Sequence, residues 1–248
     1  MLELTDAGQI ALRYAEQIFG LGAELAEALS GRLPTGKIRL RVGIVDAVPK
    51  LVVHRLLRPI LQLDAPVMLD CSEGMMGVLL DRLVSHELDL VISETLAPPR
   101  ALHRVYNHLL HECSTSFFAT ESAVQVTDSR PLLTLLQEVP LLLPSHGTAL
   151  RRQLERYFDS MKIEPHIAHE FTDSALMKVF GEEGIGIFPA AAIVEEKVCQ
   201  QYAVRCLGTI NDVREQFYAI TAERQIDHPA VASLIGKSKS PVISRKTE

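Results

Sequence analysis

From residue 37 onward the apolar side chains change period repeatedly, from every second residue to every third or fourth and back. A two-residue period marks a strand with one buried face, and a 3.6-residue period marks an amphipathic helix. Alternation of the two dictates open α/β sheets covered by helices and joined by crossovers. Residues 37–45 place Ile38, Leu40, Val42 and Ile44 on one strand face. Helical spacing follows at 48–63, where Pro59 is expected to kink or shorten the helix. A strand at 66–73, a helix at 75–86 and the buried strand LDLVIS at 88–93 complete the first run. The pattern then repeats more loosely: strands near 102–111, 113–119 and 139–143, and a helix at 148–161. A strand at 165–171, a helix at 174–182, a short strand at 185–188 and a helix at 189–200 come next. Two strands near 202–207 and 214–223 precede a terminal helix at 229–236. Such a length of alternation suits two similar lobes better than one sheet.

Before this run, residues 5–30 read as one helix, with Thr5 as N-cap, Asp6 at the positive end of the dipole, and Gly31 with Pro34 as the stop. Apolar residues at Ala7, Ala11, Tyr14, Ile18, Leu21, Leu25 and Ala28 alternate by fours and threes, which is the seam of a coiled coil. Ala11, Tyr14, Ile18, Leu21, Leu25 and Ala28 are the expected dimerisation contacts. The other reading is an amphipathic helix packed on its own domain. Charges over residues 2–30 are Glu3, Asp6, Glu16, Glu24 and Glu27 against Arg13 alone. A helix of that sign does not lie along a phosphate backbone, and the formal net charge of −6 gives the whole chain no basic face. Cys71, Cys113, Cys199 and Cys206 show no CxxC spacing. With Cys71 and Cys113 inside apolar stretches, they read as buried thiols in a reducing compartment. No secretory signal opens the chain, and the apolar stretch 132–143 is interrupted by Gln137, Glu138 and Pro140. The expected location is cytoplasmic, with no membrane partner. The tail KSKSPVISRKTE (237–248) reads as disordered.

Three segments carry a family resemblance. LELTDAG at 2–8, followed by a long helix, resembles the junction between wing and linker helix in LysR-type transcriptional regulators. LVSHELDLVIS (83–93) resembles the family's Leu-Asp-Leu strand, and GEEGIGIFP (181–189) its Gly-x-Gly segment ending in Pro. Within the family, EFTDSALMKVFG (170–181), VGIVDAVPK (42–50) and AERQIDHPAV (222–231) resemble the NhaR-like branch, which regulates sodium/proton antiporter genes. The similarity covers all but the basic tail. It implies a two-lobed effector domain of periplasmic-binding-protein type 2, preceded by a linker helix, with crossing strands near 106–114 and 205–213. The implied division is 1–35 for the end of a winged helix plus linker, 36–108 with 209–236 for lobe I, and 109–208 for lobe II. The recognition helix expected of the family is not in this sequence, which implies a fragment or a misassigned start. Promoter DNA is then a partner only through that missing winged helix. The resemblance also implies a homodimer or homotetramer, a small-molecule or ion inducer, no cofactor, and activation in response to sodium or another cation.

In open α/β sheets, ligands bind beyond the carboxyl ends of strands, where helix N-termini converge. That rule selects Asp46, Ala47, Val48, Pro49, Ser72, Glu73, Ser93 and Glu94 in the first lobe. In the second it selects Ser145, His146, Gly147, Thr148, Thr172 and Asp173, together with Phe188 and Pro189. These positions also match where LysR-type sensors take their inducers. Asp46, Glu73, Glu94 and Asp173 give the set four carboxylates and no Arg, a donor chemistry suited to a hard cation or an amine. Two plainer readings stand beside this one: Asp46, Ser72, Thr172 and Asp173 as helix N-caps, and Glu73 and Glu94 as solvated surface groups.

His103, His108, His111 and Glu112 are close in sequence, but a strand there sends His108 to the opposite face from His103 and His111, and no spacing matches a zinc site. Gly184-x-Gly186 precedes a strand instead of following one, so it reads as a tight turn and not as a dinucleotide loop. No nucleophile elbow or phosphate loop occurs, and no enzyme is expected. A solute-binding protein of the same two-lobed fold is the competing function; the lack of a signal segment and the N-terminal seam weigh against it.

Overall fold

A computed structural model describes residues 5, 7–9, 11–12, 14–15, 18–19, 22, 38–63, 65–99, 105–124, 130–223, 226 and 228–236. In lobe I the parallel strands β1 (Ile38–Val45), β2 (Val67–Gly74) and β3 (Leu90–Ser93) carry the alternating apolar residues seen in the sequence, with β1 between the other two. Helix α1 (Lys50–Leu57) tightens into a 3₁₀ turn at Arg58–Gln62. Pro59, at the start of that turn, lacks the N–H needed to continue the α-helical ladder. Helix α2 (Met76–Val84) buries Leu79, Leu80 and Leu83 against the sheet.

Two long antiparallel strands, β4 (Tyr106–Ala119) and β8 (Arg205–Thr221), then run through both lobes. The ends of β8 and β4 extend the lobe I sheet, with Val91, Ile92 and Ser93 of β3 opposite Ile220, Ala219 and Tyr218. Their other ends belong to lobe II, where Thr115–Phe118 of β4 pair with β7 (Phe188–Ala191). Each long strand had been expected as two. The ladder stays continuous because its central polar residues pair across it. Arg214 and Gln216 donate to Glu112 at 3.1 and 2.6 Å, and the Ser114 hydroxyl donates to Asn211 at 2.9 Å. The Asn-Asp step at 211–212 is absorbed as a register shift, with Ser114 opposite Arg214 and Thr115 opposite Ile210.

Lobe II adds α3 (Leu132–Glu138), β5 (Leu141–Pro144), α4 (Ala149–Met161), β6 (Ile167–Phe171) and α5 (Ser174–Glu182). Strands β5 and β6 are parallel, and a parallel bridge from Leu141 to Ile187 joins them to the segment leading into β7. The short strand expected at 185–188 lies instead at Phe188–Ala191. The helix expected from 189 begins later, as a 3₁₀ turn at Ala192–Val194 followed by α6 (Glu195–Gln201). Helix α3 was not anticipated. The tight turn read at Gly184-x-Gly186 is present: Gly184 has φ of 80°, and a Cβ on Gly186 would come within 2.3 Å of the Pro140 carbonyl oxygen. Helix α7 (Pro229–Gly236) closes lobe I by burying Ala230, Val231 and Leu234.

In the N-terminal segment, residues 7–9, 11–12, 14–15, 18–19 and 22 are helical. Tyr14 and Ile18 of the seam are 62% and 68% exposed, and Ala11 is exposed as well, so nothing among the described residues covers them. Leu21, Leu25, Ala28 and the 237–248 tail lie outside the described residues. All four cysteines are free thiols, and Cys71 corrects one expectation: it points outward from edge strand β2 and is exposed. None of the helices among the described residues is long and apolar enough to cross a membrane.

Candidate ligand site between the lobes

The carboxyl ends of β1 and β3 face the ends of β5 and β6 across a cleft, which narrows to a cavity of about 40 Å³. That is room for little more than a water molecule. Ala47, Pro49, Val52 and Glu94 line it from lobe I. Pro144, Thr148, Thr172, Ser174 and Lys178 line it from lobe II, and Glu215 enters from the crossing strand β8.

Of the residues selected from the sequence, Ala47, Pro49, Glu94, Thr148, Thr172 and Pro189 therefore reach the cavity. The others do different work. Ser72 accepts a hydrogen bond from Arg82 at 2.9 Å, and Glu73 is ion-paired with Lys50. Buried Ser93 accepts from the backbone N–H of Thr95 at 3.0 Å, and Val48 is buried core. The Ser145 N–H donates to the Phe171 carbonyl, tying β5 to β6. His146 is exposed beside Glu155 and Glu170. Asp173 caps α5 by accepting from the Ala175 N–H at 2.7 Å, as its plain reading proposed, and Thr148 caps α4 through the Arg151 N–H at 3.2 Å. Asp46 and Ser72 cap nothing: the residues at the caps of α1 and α2 are Pro49 and Met75. Asp46, Glu73, Glu94 and Asp173 are thus not gathered into one oxygen cage. Two are committed to a lysine and a helix cap, and among the described residues no three His, Cys, Asp or Glu side chains meet to hold a metal. Among the described residues His108 and His111 join no metal group either, and buried His108 instead places Nε2 3.0 Å from the Thr221 hydroxyl; His103 lies outside the described residues.

What the cleft brings together is a different charged set. Glu94, at the end of β3, reaches across to lobe II and accepts a hydrogen bond at 3.0 Å from the N–H of Ala149, the first residue of α4. Burial raises its pKa, while that N–H and Arg152 pull it back down. Glu215, only 7% exposed, has its pKa pushed up to about 7, chiefly by burial. A hydrogen bond from Thr115 and the charge of Lys178 oppose that rise, and Glu94 adds to it. Lys178, 3% exposed, donates to the Ser174 carbonyl at 2.8 Å. Its ammonium is destabilised by burial to a pKa of about 8, although Glu215 and Asp173 favour the charge.

Neither Lys178 nor Glu215 was singled out from the sequence, yet the signal was there. Val213, Glu215, Phe217 and Ala219 follow a two-residue period, and all four are buried. Lys178 shares the inward face of α5 with Met177 and Gly181. A charged residue on the apolar register of a strand or helix is the pattern that finds such groups.

The profile of the LysR substrate binding domain matches residues 35–237. The chain belongs to the LysR family. The transcriptional activator protein NhaR of Escherichia coli (strain K12) is 30% identical over 243 residues, covering 98% of this chain and 79% of that protein. Among solved structures, the LysR family transcriptional regulator CbnR superposes with a TM-score of 0.65 at 17% identity, covering 94% of this chain and 80% of that one. The BenM effector binding domain with its effector benzoate gives 0.60 at 18% identity, covering 80% and 88%. These likenesses establish the two-lobed fold of LysR effector domains, as the sequence reading expected. The chain is accordingly the effector-binding part of a LysR-type regulator, a family of transcription factors and not of enzymes.

Proposed function

We propose that the cleft lined by Glu94, Lys178 and Glu215 is the inducer site of this regulator, and that it responds to sodium or a similar small cation. The observation that carries the reading is a buried carboxylate, Glu215, and a half-buried one, Glu94, whose charge it senses, on one cavity of about 40 Å³. Hydroxyls of Thr148, Thr172 and Ser174 line the same cavity, and oxygen donors of this kind suit a hard cation. A cation bound there replaces the bound proton and competes with Lys178 for Glu215. The resemblance to the antiporter-regulating branch points the same way.

Occupancy matters to transcription only through a difference in affinity between two lobe arrangements. Glu94 spans the lobes, so a ligand that draws its carboxylate from Ala149 alters the contact holding them together. We assign the lobes as 36–108 with 209–236, and 109–208, with the crossing strands as the hinge. The N-terminal seam through Ala11, Tyr14 and Ile18 is the dimer contact, and promoter DNA is met by the winged helix of the intact protein in the cytoplasm.

Thermal unfolding in sodium, lithium and potassium chlorides at matched ionic strength tests the cation reading. A ligand of the folded state at ~100-fold excess over its Kd stabilises by about 2.7 kcal/mol. A rise in Tm selective for sodium or lithium is expected. Equal shifts in all three salts would reduce the effect to screening and remove the cation while leaving the family assignment intact.

A further inference from the structure

The cavity between the lobes holds a nucleophile as well as oxygen donors. Lys178, on the inward face of α5, is 3% exposed and lines the cavity together with Thr172, Ser174, Glu94 and Glu215. Its nitrogen donates to the Ser174 carbonyl at 2.8 Å, and among the described residues it forms no ion pair. A buried ammonium recovers its lost hydration only through several close partners. This one has a single carbonyl, with Glu215 and Asp173 acting on it only as charges. Burial therefore favours the free amine, whose lone pair is the nucleophile of Schiff-base lysines. Lys162 and Lys197, by contrast, are exposed to water.

We propose that Lys178 is a covalent capture site for an aldehyde of one or two carbons, which it holds as an iminium ion. The capture site is part of the inducer cleft and rests on that reading, though not on the choice of cation. The amine adds to the carbonyl carbon, forming the C–N bond as the C=O π pair moves to oxygen. Glu215, an acid on the same cavity, protonates that oxygen and takes a proton back from nitrogen, which gives the carbinolamine. It then protonates the hydroxyl, which leaves as water while the nitrogen pair closes the C=N bond. The products are the iminium, one water and the Glu215 carboxylate, and no oxidant or reductant is consumed.

The cavity suits that product in charge and in size. Glu215 and Glu94 both face the positive charge, and a space of about 40 Å³ takes a short aldehyde but not a ring. Lys178 belongs to lobe II and Glu215 to the crossing strand β8, so pairing the iminium with the carboxylate biases the lobe equilibrium toward the arrangement that brings them together.

Acetaldehyde is the probe, with cyanoborohydride to reduce the iminium to a stable ethylamine and peptide mass spectrometry to locate it. At pH 7 and limiting acetaldehyde, Lys178 of the wild-type chain should be ethylated about tenfold or more faster than Lys162 and Lys197, at a rate that saturates as acetaldehyde rises. Benzaldehyde, too large for the cavity, should show no such preference. Without the reductant, acetaldehyde should raise the Tm of the wild type and not that of K178M. Ethylation of Lys178 no faster than that of the exposed lysines, the same preference with benzaldehyde, or an equal rise in K178M each overturns the capture site. A sodium-selective shift in Tm without preferred ethylation removes the aldehyde and leaves the cation reading intact. Preferred ethylation without that shift supports the capture site and removes the cation alone.

Discussion

Helices α4 and α5 of lobe II each bury one cation, Arg151 and Lys178, both only 3% exposed. Arg151 is saturated. It donates to Glu155 at 2.7 Å, to Glu170 at 2.9 Å, to the Pro144 carbonyl at 3.2 Å and to His146 Nε2 at 3.3 Å. Lys178 has the Ser174 carbonyl at 2.8 Å, and it meets Glu215 only as a charge in the same cavity. Equal burial therefore has opposite consequences. A guanidinium that recovers its lost hydration through a fork of hydrogen bonds becomes part of the framework. An ammonium that does not recover it stays poised near neutrality, with its carboxylate partner pushed toward neutrality as well. The first group holds β5, β6 and α4 together. The second is left free to report on what enters the cleft.

The sharpest way to break this contrast is R151M. Methionine fills much of the space but abandons Glu155, Glu170 and the Pro144 carbonyl. Glu155 and Glu170 are partly exposed and regain some hydration, so the loss should be about 3 kcal/mol, at the low end for a broken buried pair. Denaturant unfolding at two pH values measures it. A loss below about 1 kcal/mol would mean that Arg151 is no more a structural hub than a surface pair.

Next in size is the pH dependence set by Glu215. Its folded pKa, about 7, lies above the ordinary carboxylate value of 4.5, so the folded chain holds this proton more tightly than the unfolded one. The resulting stabilisation is full below pH 4.5 and is lost as pH rises through about 7. Its size is on the order of 2–3 kcal/mol, with the opposing charge of Lys178 keeping it from being larger. The groups facing Glu215 are Thr115 on β4, Lys178 on α5 and Glu94 at the end of β3. The Cys113 thiol also feels its charge and is itself pushed up to about 11, outside the relevant window. E215Q keeps an acceptor for Thr115 while removing the proton. The variant should lose most of the stability difference between pH 5 and pH 8 and be more stable than wild type at pH 8. An unchanged slope would assign the titration to another group.

The same contrast explains what could be read in the sequence. Strands and helices were legible wherever apolar residues kept one period, as in Ile38–Val45 and Ser174–Glu182. The pattern blurred at Glu112 and at Asn211–Asp212, because polar residues in mid-strand look like turns until their partners on the other strand are known. Helix α3 was hidden in a nearly continuous run of leucines, where no period can be distinguished. In the site, Glu94 was found because it ends a strand, and Lys178 and Glu215 were passed over because single charges ordinarily mark solvent-facing positions. Glu73 and Asp173 met the strand-end rule as well as Glu94 did. Only the fold shows that a lysine and a helix N-terminus had already engaged them.

The smallest expected effect belongs to His146, at the outer end of the Arg151 network. Its ring lies 3.1 Å from Glu155 and 3.4 Å from Glu170, but its side chain is 69% exposed and it does not line the cavity. Ion pairs formed by so exposed a group are held in high dielectric and are worth well under 1 kcal/mol. H146A should therefore cost less than about 0.5 kcal/mol and leave both the pH slope set by Glu215 and any sodium-selective shift in Tm unaltered. A loss comparable to that of R151M would show that the arginine's saturation depends on the imidazole as well as on the carboxylates. A lost sodium response with unchanged stability would extend the ligand site beyond the cavity to the loop between β5 and α4.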